Sequence, residues 1–134
     1  MLFQYMTLAG LAFGAFAGFV ALFRPAAIAN TLRLQPIPGK PGGFAEFRAT
    51  FGGVFFMIHI TAFIAVLHLP PFLGAIIVFP VAMGWYGAAL ARLASMVLDT
   101  NENGSGGINR YWVILEIFVG TLILSTALQL TAGT

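Results

Sequence analysis

Four long apolar runs dominate the chain, over residues 2–23, 47–68, 72–98 and 111–130. Each holds about the 20 residues that an α-helix needs to cross ~30 Å of hydrocarbon. None shows the short two-residue alternation of a membrane β-barrel strand. Polar or helix-breaking residues fall between them: Arg24-Pro25 closes the first run, Pro70-Pro71 separates the second from the third, and Asp99 closes the third. The pattern predicts an all-α integral membrane protein, a four-transmembrane-helix bundle, with residues 1–134 forming a single domain.

The connections differ in character. Residues 24–45 carry Pro36, Pro38 and Pro41, and the stretch 26–34 has the composition of a short interfacial helix with Arg24 and Arg33 among the headgroups. Residues 68–71 make a tight turn. Residues 99–109 form a polar loop rich in Asn and Gly. Pro80 stands inside the third run, where a kink is expected.

Composition sharpens this picture. The chain is 60% hydrophobic and 7% charged, whereas soluble domains carry about 25% charged residues. Lipid is therefore expected to be part of its solvent. The absence of cysteine excludes disulfides, thiolate metal sites and cysteine nucleophiles. Six scattered basic residues are too few for a nucleic-acid patch, so no nucleic-acid partner is expected. The N-terminal run lacks a basic leader and is long for a signal core, so it is read as a retained span.

The basic residues set a topology. Arg24, Arg33, Lys40, Arg48, Arg92 and Arg110 all belong to the side that carries residues 24–45 and 99–110, and no Lys or Arg belongs to the other. By the positive-inside rule that side is cytoplasmic and both termini are periplasmic. The expected location is the bacterial inner membrane.

Charges inside apolar runs are costly and usually partnered. Arg92 lies seven residues before Asp99, and Glu116 six residues after Arg110. At 1.5 Å per residue these offsets are ~10 and ~9 Å, so antiparallel third and fourth helices would bring the two to equal depth. Ser95 and Asp99 share the Arg92 face at i+3 and i+7. Glu46 and Arg48 open the second run. Two readings follow. One is an inter-helix clasp that sets packing and register. The other is a polar pocket near the cytoplasmic leaflet, in which Arg48, Arg92 and Glu116 hold the headgroup of a quinone, isoprenoid or other lipid.

His59 falls near the middle of the second run, ~16 Å beyond Arg48. A histidine at that depth bonds a neighbouring helix or ligates a tetrapyrrole metal. His68, ~13 Å further on, is too far away to complete a bis-histidine haem. Small residues mark close helix approaches. Gly10, Gly14 and Gly18 repeat every four residues, Gly52-Gly53 forms a notch, and Gly84 and Ala88 open a ridge that continues through Ala91 and Ser95. No zinc-protease, phosphate-loop or nucleophile-elbow motif occurs.

The segments Glu46-Phe-Arg-Ala-Thr-Phe-Gly-Gly53 and Ala91-Arg-Leu-Ala-Ser-Met-Val-Leu-Asp99 are similar to two motifs of one family. The first resembles its E-x-R-x-x-[YF]-G-G helix opening, and the second its [GA]-R-x-x-S-x-x-x-D helix ending. Glu116 followed by Gly120 resembles its acidic start to the fourth helix. The family is the small four-helix bacterial membrane proteins catalogued as Domain of Unknown Function 4345. The chain departs from it after Asp99, where Thr100-Asn101 stands in place of a common Gly. The resemblance implies a four-helix architecture in a bacterial inner membrane and implies no activity.

Three functional classes stay open. The first is a non-catalytic accessory or assembly subunit of a larger membrane complex, respiratory or photosynthetic, whose partners are membrane lipids and other transmembrane subunits. The second is a binder, carrier or enzyme for a lipophilic molecule, with a lipid or quinone held at the Arg48, Arg92 and Glu116 pocket. The third is a pigment or haem subunit working through His59.

Overall fold

The computed structural model describes residues 1–40, 42–99 and 106–132, and every regular element among them is helical. Among the described residues there are five helices: α1 (Leu2–Phe23), α2 (Pro25–Leu32), α3 (Gly43–His68), α4 (Pro71–Leu98) and α5 (Gly106–Ala132). Four are long and apolar enough to cross a membrane: α1, α3, α4 and the Asn109–Leu130 part of α5. By length and composition these helices suggest a multi-pass membrane protein. Most of the polar loop expected at 99–109, and Pro41, lie outside the described residues.

Local chemistry sets the boundaries. Pro25 occupies the first turn of α2, where its missing N–H costs nothing and its fixed φ suits the helix. The chain leaves α2 through Arg33 in the left-handed conformation (φ 58°). The Leu34 N–H then donates to the Ala29 carbonyl at 2.8 Å, the long bond of a Schellman end. α3 begins at Gly43, four residues ahead of the expected start, because Gly42 at φ 100° turns the chain directly into a helix. Residues Arg48–Val54 of α3 are π-helical, a wider winding that is rare and needs local compensation. α4 runs from Pro71 to Leu98 with Pro80 inside it.

The residues group into two compact units. One comprises Met1–Gly10 and Ala65–Thr134, the other Leu11–Ile64. α1 and α3 each contribute to both.

In the first unit α4 and α5 lie antiparallel along their length, as the pairs Tyr86–Thr121 and Arg92–Glu116 show. The Thr121 hydroxyl donates to the Ile117 carbonyl at 2.8 Å, so across the 2.9 Å contact Tyr86 must be the donor. The start of α1 joins through Thr7, which is fully buried. Its hydroxyl donates toward the Ile123 and Leu122 carbonyls at 3.1 and 3.2 Å. It accepts from the Thr126 N–H at 3.0 Å and lies 2.9 Å from the Thr126 hydroxyl. Gln4 donates to the Val66 carbonyl at 3.2 Å. Gly10 permits the approach, since a Cβ there would stand 2.8 Å from Ile123 Cγ1.

In the second unit the rest of α1 runs antiparallel to α3. Gly14 lies against the His59 ring, Gly18 against the Phe56 backbone, and Gly52 against Leu22. Under α2 a small core forms from Ala21, Ala29 and Phe47, with Ile28, Leu32 and Phe44 packed beside it.

Large apolar side chains cover the outside: Val97 is 73% exposed, Leu90 69%, Phe16 67% and Ile114 64%. In water such a surface would aggregate. In hydrocarbon it carries no such penalty.

The glycines separate into two kinds with different expected sensitivities. A Cβ on Gly18 would stand 2.5 Å from the Phe56 backbone nitrogen, which cannot rotate away. Gly18→Ala should therefore destabilise the protein by about 1–3 kcal/mol, the usual cost of overpacking. Gly84 faces open space, so Gly84→Ala should be neutral or stabilise by up to about 1 kcal/mol through helix propensity. Thermal unfolding of both variants in mild detergent checks the pair, and equal losses would contradict this packing.

Candidate functional site

Arg92 and Glu116 meet between α4 and α5. Arg92 Nε donates to Glu116 Oε1 at 2.7 Å. The two partners are unequally buried: the arginine side chain is 29% exposed and the glutamate 6%. Trp112 lies one turn before Glu116 on α5, so both residues occupy one face. The Arg92 guanidinium carbon sits 5.5 Å from the centre of the Trp112 ring, within cation–π range. Glu116 Oε2 is buried and accepts no hydrogen bond among the described residues. The carboxylate is thus held by a single strong donor.

Ser95 and Asp99 form a local pair on α4. The Ser95 hydroxyl donates to Asp99 Oδ2 at 2.6 Å, and the Asp99 N–H donates to the Ser95 carbonyl at 2.9 Å. A carboxylate at a helix C-terminus opposes the helix dipole, and the serine hydroxyl offsets part of that.

Arg48 and Glu46 belong to the second unit. Arg48 Nε donates to the Leu22 carbonyl at 3.0 Å. This places a cation on the last turn of α1, where orphan carbonyls and the negative dipole end both favour it. Gly52, one turn further along the π-helical stretch, lets the α3 backbone approach that same turn. Glu46, exposed in the first turn of α3, lines a cleft of about 310 Å³ with Gln35, Thr50 and the rings of Phe44, Phe47 and Phe51. Phe47 and Phe51 stack with centroids 4.7 Å apart. Neither Glu46 nor Arg48 makes an ion pair with a described residue.

His59 is buried, and its Nδ1 lies 2.7 Å from the Phe55 carbonyl. A carbonyl only accepts, so Nδ1 carries the proton. The opposite edge of the ring, with Cδ2 and Nε2, lies against Gly14 of α1. A tetrapyrrole metal would have to approach along that edge, and binding there requires α1 to move. His68 is exposed at the end of α3.

The small residues also divide. Gly10, Gly14, Gly18 and Gly52 press against neighbouring helices, whereas Gly53 has only the Arg48 carbonyl at 3.7 Å. Gly84 and Gly87 face open space, and Ala91 one turn on is exposed.

Sequence reasoning passed over two sets of contacts. One is the Thr7–Thr126 cluster and the other the Tyr86–Thr121 bond. The available signal was hydroxyl side chains standing in otherwise apolar runs, where each must find a partner. No protein-family model matches the chain, and no match was found among curated proteins or solved structures.

The unequal burial of the ion pair sets an order among its variants. Arg92→Ala strands a buried carboxylate and should cost about 3 kcal/mol or more. Glu116→Gln leaves a guanidinium that can reach the surface and should cost about 1 kcal/mol. Unfolding midpoints of the two variants in one detergent test the order, and a larger loss for Glu116→Gln would reverse the argument.

Proposed function

We propose that this protein is a non-catalytic, multi-pass subunit of a bacterial inner-membrane complex, with an accessory or assembly role in an energy-transducing, respiratory or photosynthetic machine. In this reading both termini are periplasmic, and the 24–45 and 99–110 segments face the cytoplasm. The family resemblance of residues 46–53 and 91–99 agrees with this reading but does not carry it.

The observation that carries it is the use of the polar side chains on the long helices. Arg92 and Glu116, Tyr86 and Thr121, and Thr7 and Thr126 join one helix to another, and His59 is bonded to the Phe55 carbonyl of its own helix. A catalytic group needs a neighbour that activates it and room for a reacting atom. These groups are instead bonded to one another or to backbone. What the helices leave open is apolar surface, including the small-residue face of α4 at Gly84, Gly87 and Ala91. A face of that kind lets a neighbouring transmembrane helix approach closely.

Extraction from the native membrane in mild detergent, sizing, and identification of the accompanying chains tests the reading. The expected outcome is a defined large assembly that Gly84→Leu disrupts while the thermal stability of the isolated chain is kept. A lone small particle would refute the subunit role. An assembly that survives Gly84→Leu would refute this docking face.

A further inference from the structure

We propose that the Arg92–Trp112 corner of α4 and α5 binds the phosphate of an anionic phospholipid headgroup. The inference goes beyond the subunit role but rests on the membrane placement proposed with it.

Arg92 uses only Nε for its ion pair, and no described residue accepts from its terminal amino groups. Those two groups form the fork that grips a phosphate through two parallel charge-assisted hydrogen bonds. Glu116, nearly fully buried, anchors the guanidinium from the inner side, while the arginine side chain keeps 29% of its surface exposed. The Trp112 ring, 5.5 Å from the guanidinium carbon, adds a second constraint on its position and is itself a residue type that favours the membrane interface.

Depth agrees with this assignment. Arg92 lies seven residues before Asp99, the C-cap of α4, so ~10 Å of helix separates it from the helix end. An arginine at that depth reaches toward the phosphate layer along its aliphatic stem. Arg110, on the same helix as Trp112, is a further exposed cation, and the Glu116 carboxylate is turned inward and buried. A zwitterionic headgroup carries its own cation beside the phosphate, so an anionic lipid is the better match.

The chain holds two tryptophans, so Trp85→Phe leaves Trp112 as the sole reporter. This protein is placed in phosphatidylcholine vesicles that contain, at equal mole fraction, either brominated phosphatidylglycerol or brominated phosphatidylcholine. The expected result is quenching of Trp112 that corresponds to about fivefold enrichment of the anionic lipid, the size of one interfacial basic residue. Arg92→Gln combined with Glu116→Gln, which strands no buried charge, should abolish the preference. Arg24→Gln, which removes an exposed basic residue of the other unit, should keep it. Equal quenching by the two lipids would overturn the site and leave the membrane placement standing. Quenching by neither would overturn both. A preference that persists in the double variant, or that is equally lost in Arg24→Gln, would overturn the assignment to Arg92. Loss of the preference on adding excess inorganic phosphate would identify a soluble phosphate site and overturn the lipid assignment.

Discussion

Helices this apolar lose the force that packs helices in water. Lipid tails are as hydrophobic as leucine, so burying one apolar face against another removes nothing from an unfavourable solvent. Two kinds of contact can still hold such helices together: backbones that approach closely, and polar groups that have no other partner within hydrocarbon. This chain uses both. Gly10, Gly14, Gly18 and Gly52 bring helix backbones against neighbouring atoms. Thr7, Tyr86, Arg92 and Arg48 bond to groups on another helix.

The two compact units divide these means differently. In the first, polar bonds recur along α4 and α5: Tyr86–Thr121 and then Arg92–Glu116, with Thr7 on the α5 backbone beyond. A one-residue slip between α4 and α5 would break the first two bonds together, so they define register as well as attraction. In the second, Gly18 and Gly52 bring backbone against backbone, and a polar bond from one helix to another, Arg48 to the Leu22 carbonyl, stands at the end of α1. The π-helical stretch Arg48–Val54 lies at that contact. Both Arg48 and Gly52 act on Leu22 from within it, a combination that links the unusual winding to the way α3 meets α1.

Much of this was legible in the sequence because the signals were long or came in opposite charges. Four apolar runs of helical length stand out at any reasonable window, and the structure places helices long and apolar enough to span a membrane over all four. Arg92 and Glu116 were paired by counting residues from the chain's two turning points, an argument that needs only helical rise. The remainder was illegible for specific reasons. Arg48 bonds a backbone carbonyl, and a carbonyl has no residue type to search for, so that bond could not be anticipated. The start of α3 at Gly43 depends on the positive φ of Gly42, which one glycine among several does not announce. The glycines of α1 and α4 look alike in sequence. Only packing separates Gly18, against Phe56, from Gly84, against nothing.

The asymmetry of the ion pair follows from the same constraint. A charge in hydrocarbon is tolerated when it is paired or when it can reach water or headgroups. Glutamate has a short stem and cannot reach, so Glu116 depends on a donor brought to it. Arginine has a long stem and several donors, so Arg92 can satisfy the carboxylate with one nitrogen and still approach the surface with the others. The observed burial, 6% exposed for one side chain and 29% for the other, is the distribution this difference in reach produces. Exchanging the two residues would put the long side chain on α5 and the short one on α4, and the exposed terminal amino groups would then stand on the other helix. The pair as it stands therefore does two things at once. It joins α4 to α5, and it leaves part of the cation exposed.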